Sequence, residues 1–130
     1  MNKLARLHRI GLYATGAVLL LTGVVWAFLH YLADESTAVP VNAVLMKIHG
    51  GAAMLALLLL GSLLPHVAWG WRLAHNRASG IALLTLNGLL IVTGYLLYYA
   101  GGDALRESAS LVHLFLGAVL AVLLPVHLYI

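Results

Sequence analysis

Histidine is the residue type in this chain best suited to chemistry. There are seven, at positions 8, 30, 49, 66, 75, 113 and 127, and no cysteine. Without cysteine there can be no disulfide, Fe–S cluster, thiolate zinc site or covalently attached haem of the C-x-x-C-H kind. His113 and His127 are 14 residues apart. In a helix that spacing falls about 40° short of four full turns and rises about 21 Å. Both imidazoles therefore leave one face of a helix, at two depths. Other segments offer a partner at each depth. His49, just past Lys47, matches His113, a short way past Glu107, and His8, beside Arg9, matches His127.

Two neutral imidazoles on opposite sides of a flat macrocycle are the ligands of bis-histidine haem b. Two pairs at two depths suit two haems, with His8, His49, His113 and His127 as axial ligands to iron. Glycine near a ligand lets the ring approach the backbone. Gly50 and Gly51 follow His49, Gly11 is one turn after His8, and Gly117 is one turn after His113; Gly16 and Gly23 suit either haem or helix packing. Met46 and Met54 are read as packing rather than as ligands.

His66 competes with His8 as the partner of His127. It follows His49 by 17 residues, which puts it about 100° off a shared face, although a bend at Pro65 would correct part of this. If it is not a ligand, His66 is a contact for a quinone or a haem propionate, or an interfacial residue without a role. His30 is read as a solvated residue at the end of its helix and His75 as an ordinary loop residue. Arg6, Arg9 and Arg72 could pair with propionates of one haem, Lys47 and Arg106 with those of the other. Membrane sidedness alone accounts for the first three.

These histidines must be positioned by membrane-spanning helices. Of 130 residues, 63% are hydrophobic and 8% charged. An ordinary soluble domain is about 25% charged, so a soluble enzyme and a nucleic-acid binder are excluded. Four stretches contain no Asp, Glu, Lys or Arg: Ile10–Ala33, Ile48–Trp71, Ala78–Gly102 and Ser108–Ile130. Each exceeds the roughly 20 residues that a spanning helix needs, and in lipid such segments must be helical. The alternation of a membrane barrel is absent. The expected fold is all-α, an up-down-up-down four-helix transmembrane bundle in one domain covering 1–130, with helices at about 9–33, 43–71, 78–101 and 107–130.

Charge orients the bundle. With four crossings, the N-terminus, second loop and C-terminus share a side. That side carries Lys3, Arg6, Arg9, Arg72 and Arg77 and no acid, whereas Asp34, Glu35, Lys47, Asp103, Arg106 and Glu107 fall on the other. Lys and Arg favour the cytoplasm, so both termini are expected there. Trp26, Tyr31, Tyr98 and Tyr99 at one face, and Trp69, Trp71 and Tyr129 at the other, fit aromatic belts. The basic start followed by an apolar run also resembles a signal peptide. The run is too long and lacks a clean cleavage site, so it reads as a retained helix. Pro65 and Pro125 should bend the ends of their helices by freeing the carbonyls of Gly61 and Ala121. A faint echo links Ile48-His49 through Pro65-His66 with Val112-His113 through Pro125-Val126-His127.

Leu7-His8-Arg9 opening the first span, Ile48-His49-Gly50-Gly51 in the second, no histidine in the third and the 14-residue pair in the fourth resemble the bacterial cytochrome b561 and formate dehydrogenase/hydrogenase cytochrome b subunit superfamily. The resemblance covers essentially the whole chain. It implies a haem held by helices one and four and another held by helices two and four, that is, His8 with His127 and His49 with His113. It also implies electron exchange between membrane quinone or quinol and a partner redox subunit, with the chain an electron-transfer subunit of a quinone-linked oxidoreductase rather than a complete enzyme. The chain departs from that pattern by its short loops, its end soon after His127 and its extra His66.

Two other functions compete. A small ion-coupled transporter usually needs an intramembrane carboxylate, and all four acids here lie between the apolar stretches. A haem-free anchor or assembly subunit could use the histidines for zinc or copper, but partners on different helices at two depths suit two cofactors better than one metal site.

Overall fold

A computed structural model describes residues 6–72 and 77–129, except for the side chains of 35–38. Lys3 and His75 lie outside the described residues. Within them the protein is all-helical, with five helices: α1 Arg6–Leu32, α2 Glu35–Ser62, α3 Leu64–Gly70, α4 Arg77–Tyr99 and α5 Asp103–Tyr129. Four carry apolar windows long enough to cross a membrane: all of α1, α4 and α5, and Val39–Ser62 of α2. The expected helices thus form, with altered ends. α2 starts at Glu35 instead of about 43 and carries Pro40 inside it. A proline so near a helix start removes one ladder bond, where water can replace it. The α1–α2 connection shrinks to Ala33 and Asp34.

The second expected helix is split into two. α2 stops at Ser62, Leu63 caps it through its N–H to the carbonyls of Leu60 and Gly61, and α3 begins at Leu64 with Pro65 in its first turn. Pro65 has no N–H for the Gly61 carbonyl, so the Leu63 turn takes that acceptor instead. Pro125 behaves differently, because α5 runs through it to Tyr129.

The chain divides between His66 and Val67 into two compact units. In the first, α1 packs on α2; in the second, α4 packs on α5. Cross-helix hydrogen bonds from His8 to Ser62 and from Thr22 to His49 make the first pair antiparallel. Those from Ser79 to His127 and from Thr93 to His113 do so for the second. Each unit is therefore a helical hairpin.

Few described residues are buried. They are Thr15 and Thr22 on α1, Leu86 and Thr93 on α4, and Ala109 on α5. Thr15 and Thr22 are one heptad apart, as are Leu86 and Thr93, so each pair lines the seam against its partner helix. The remaining apolar surface is largely exposed, from Leu58 in α2 to Phe115 in α5, as expected for helices that lipid or other helices cover. At the loop end of the first hairpin, His30 stacks on Trp26 with centroids 4.6 Å apart and meets Tyr31 edge-on. Tyr95 stacks on Tyr99 at the loop end of the second.

Candidate functional site

The first hairpin holds two histidines in register with hydroxyls. Near the loop end, His49 Nδ1 lies 2.8 Å from Thr22 Oγ1. Thr22 also donates to the carbonyl of Val18 at 2.7 Å, with that of Leu19 at 3.2 Å. At the open end, Ser62 Oγ donates to the Leu59 carbonyl and lies 3.2 and 3.4 Å from the two ring nitrogens of His8. The hydroxyl meets that ring side-on and favours neither nitrogen.

The second hairpin repeats the plan. His113 Nδ1 lies 2.8 Å from Thr93 Oγ1 near the loop end, and His127 Nδ1 lies 2.8 Å from Ser79 Oγ at the open end. Thr93 donates to the Leu89 carbonyl at 2.8 Å, with that of Leu90 at 3.2 Å. Each hairpin thus has two rungs, and each rung holds one imidazole and one hydroxyl. The rungs are 14 residues apart on α1, α4 and α5 and 13 on α2, or about 20 Å along the axes.

Glycine adjoins three of these rungs. A Cβ placed on Gly23, next to Thr22, would stand 3.7 Å from His49 Cε1. On Gly94, next to Thr93, it would stand 3.5 Å from His113 Cε1, and on Gly80, next to Ser79, 3.9 Å from His127 Cε1. A Thr-Gly or Ser-Gly pair therefore faces His49, His113 and His127, with the hydroxyl on Nδ1 and the bare backbone against the ring edge. Of the glycines expected to matter, Gly23 has this role, Gly11 packs on Leu59, and Gly16, Gly51 and Gly117 have open space beside them.

The third apolar stretch has no histidine and offered no candidate ligand. The structure gives α4 an active part, since it holds both histidines of α5. A signal for this existed: Ser79-Gly80 and Thr93-Gly94 are spaced like His113 and His127, and His8 and Thr22 are spaced likewise. The echo also shifts. His49 corresponds to His113, each on a threonine-glycine pair, but the open-end partner of His8 is Ser62, while His66 lies past the Leu63 break in α3 and is exposed. Asn42, one heptad before His49, has a buried amide oxygen with no partner among the described residues.

Chemically, the arrangement offers single imidazoles at set heights. Among the described residues no three His, Asp or Glu side chains gather to hold a metal ion. Comparison of the chain with protein-family models, curated proteins and solved structures returns no match.

Proposed function

We propose that this chain is a di-haem b transmembrane electron-transfer protein. In this reading the two hairpins associate in the membrane as a four-helix bundle. His49 and His113 would together hold one haem, and His8 and His127 the other. One observation carries the reading: each hairpin bears one imidazole at each of two levels about 20 Å apart, with Nδ1 of His49, His113 and His127 on a hydroxyl. Histidines that bind metal through one ring nitrogen usually hydrogen-bond through the other. Haem would supply a reversible one-electron iron couple.

The residues of the chain do the rest. In the proposed bundle the apolar side chains of α1, α2, α4 and α5 would surround the haems and exclude water. The hydroxyls orient the imidazoles. Arg6, Arg9 and Arg72 put positive charge near the open ends, which the charge pattern assigns to the cytoplasmic face, of a bacterial inner membrane if the family resemblance holds. Membrane quinone and a partner redox subunit are the exchange partners this reading implies, and it assigns to the exposed His66 a contact with a quinone or a propionate.

The test is the visible spectrum of detergent-purified protein, oxidised and then reduced, with haem counted per chain. A sharp reduced α-band and about two haems per chain, as bis-histidine ligation of both levels requires, would support the reading. Absence of haem from protein made with ample haem supply would overturn it.

A further inference from the structure

We infer that Thr22 and Thr93 are positioning residues: each hydroxyl holds its histidine, His49 or His113, as the Nδ1–H tautomer and so makes Nε2 the nitrogen that carries the lone pair. The inference rests on the haem reading only for the identity of the metal that Nε2 would take.

A threonine hydroxyl has one proton to donate. Thr22 Oγ1 lies 2.7 Å from the Val18 carbonyl oxygen. Two oxygens that close need a proton between them, because otherwise their lone pairs repel. The proton is therefore committed to the helix backbone. The 2.8 Å contact with His49 Nδ1 must then be supplied by the imidazole, whose Nδ1–H donates to Oγ1. In a neutral ring the other nitrogen is the acceptor, so the lone pair is on Nε2. Thr93 repeats every step, at 2.8 Å to the Leu89 carbonyl and 2.8 Å to His113 Nδ1.

The free imidazole side chain in water prefers the opposite tautomer, with the proton on Nε2. Each threonine thus reverses an intrinsic preference, and glycine at the next position, Gly23 or Gly94, brings the backbone within contact of the same ring edge. The geometry recurs in two hairpins whose bonded residues are 27 and 20 positions apart. Because the hydroxyl accepts from Nδ1–H, it also makes Nε2 a stronger donor to a metal, which lowers the potential of a haem bound there.

The experiment uses the full-length protein with 15N-labelled histidine, in detergent, before and after haem loading. Ring-nitrogen signals are assigned by loss in His49→Gln and His113→Gln. In the haem-free protein both histidines are expected as Nδ1–H. Thr22→Val and Thr93→Val should each convert only their own histidine to Nε2–H, and Thr→Ser should keep Nδ1–H. Nε2–H in the unmodified protein, which needs no variant to fold, would overturn the inference. So would valine variants with unchanged tautomers. After loading, the valine variants should retain haem with a raised midpoint potential, and the serine variants should titrate with the parent. An unchanged potential would remove the tuning role. A parent protein that takes no haem sinks the electron-transfer reading, while the tautomer measurement still decides what the hydroxyls do.

Discussion

At the scale of single residues, what matters is a hydroxyl on one ring nitrogen. The four histidines could be picked from the sequence because unpartnered imidazole is costly in lipid and because a 14-residue spacing repeats a helix face. Their hydroxyl partners could not, since threonine and serine are common in apolar helices, where they bond their own carbonyls as Thr22 and Thr93 also do. Two predictions belong here. His113→Ala and His127→Ala should each lower haem from about two to about one per chain by pyridine haemochrome, while His66→Ala should leave two. Loss with His66→Ala and none with His8→Ala would hand the second level to His66. Thr22→Val should also cost its hairpin about 1 kcal/mol, the size of one side-chain hydrogen bond within a membrane, read as a lower melting temperature in detergent.

At the scale of elements, the hairpin is the packing unit. The apolar stretches and their charged borders showed where helices α1, α2, α4 and α5 must lie, but not how far each runs. The Pro40 region reads as a loop, yet the helix starts ahead of it because a proline near the N-terminus breaks little of the ladder. Pro65 has the larger effect, because it sits where the Gly61 carbonyl needs a donor. Pro65→Ala should join α2 and α3 into one helix, and slow hydrogen exchange at the amide of residue 65 would show it. A fast-exchanging amide there would mean that something other than the proline causes the break. Packing at the rungs predicts a graded response: Gly23→Ala should be tolerated, since its methyl would stand 3.7 Å from His49. Gly23→Leu should displace the ring, and haem titration should show weakened binding at that level only.

At the scale of the whole molecule, the proposal rests on charge. With four alternating crossings, as proposed, five of the seven Lys and Arg residues would share a side with the termini and all four acids would lie opposite. A fluorescent protein fused after Ile130 should therefore fluoresce, and alkaline phosphatase fused there should stay inactive, as expected of a cytoplasmic end. The reverse pattern would overturn the proposed orientation and put the C-terminal end, with His127, on the outer side.

The sequence by itself determined that the chain is built from apolar helices, where their charged ends fall, and that His113 and His127 share one helix face. These follow from local rules: lipid forces backbone bonds to close within a segment, and the helical period converts spacing into direction. Tertiary structure alone decided that α1 pairs with α2 and α4 with α5 in a register that sets Thr22 on His49, Thr93 on His113 and Ser79 on His127. That outcome depends on the rotation of one helix against another. A shift of one residue turns a side chain by about 100°, so the partner of an imidazole is a property of the packed pair and cannot be read from either helix alone.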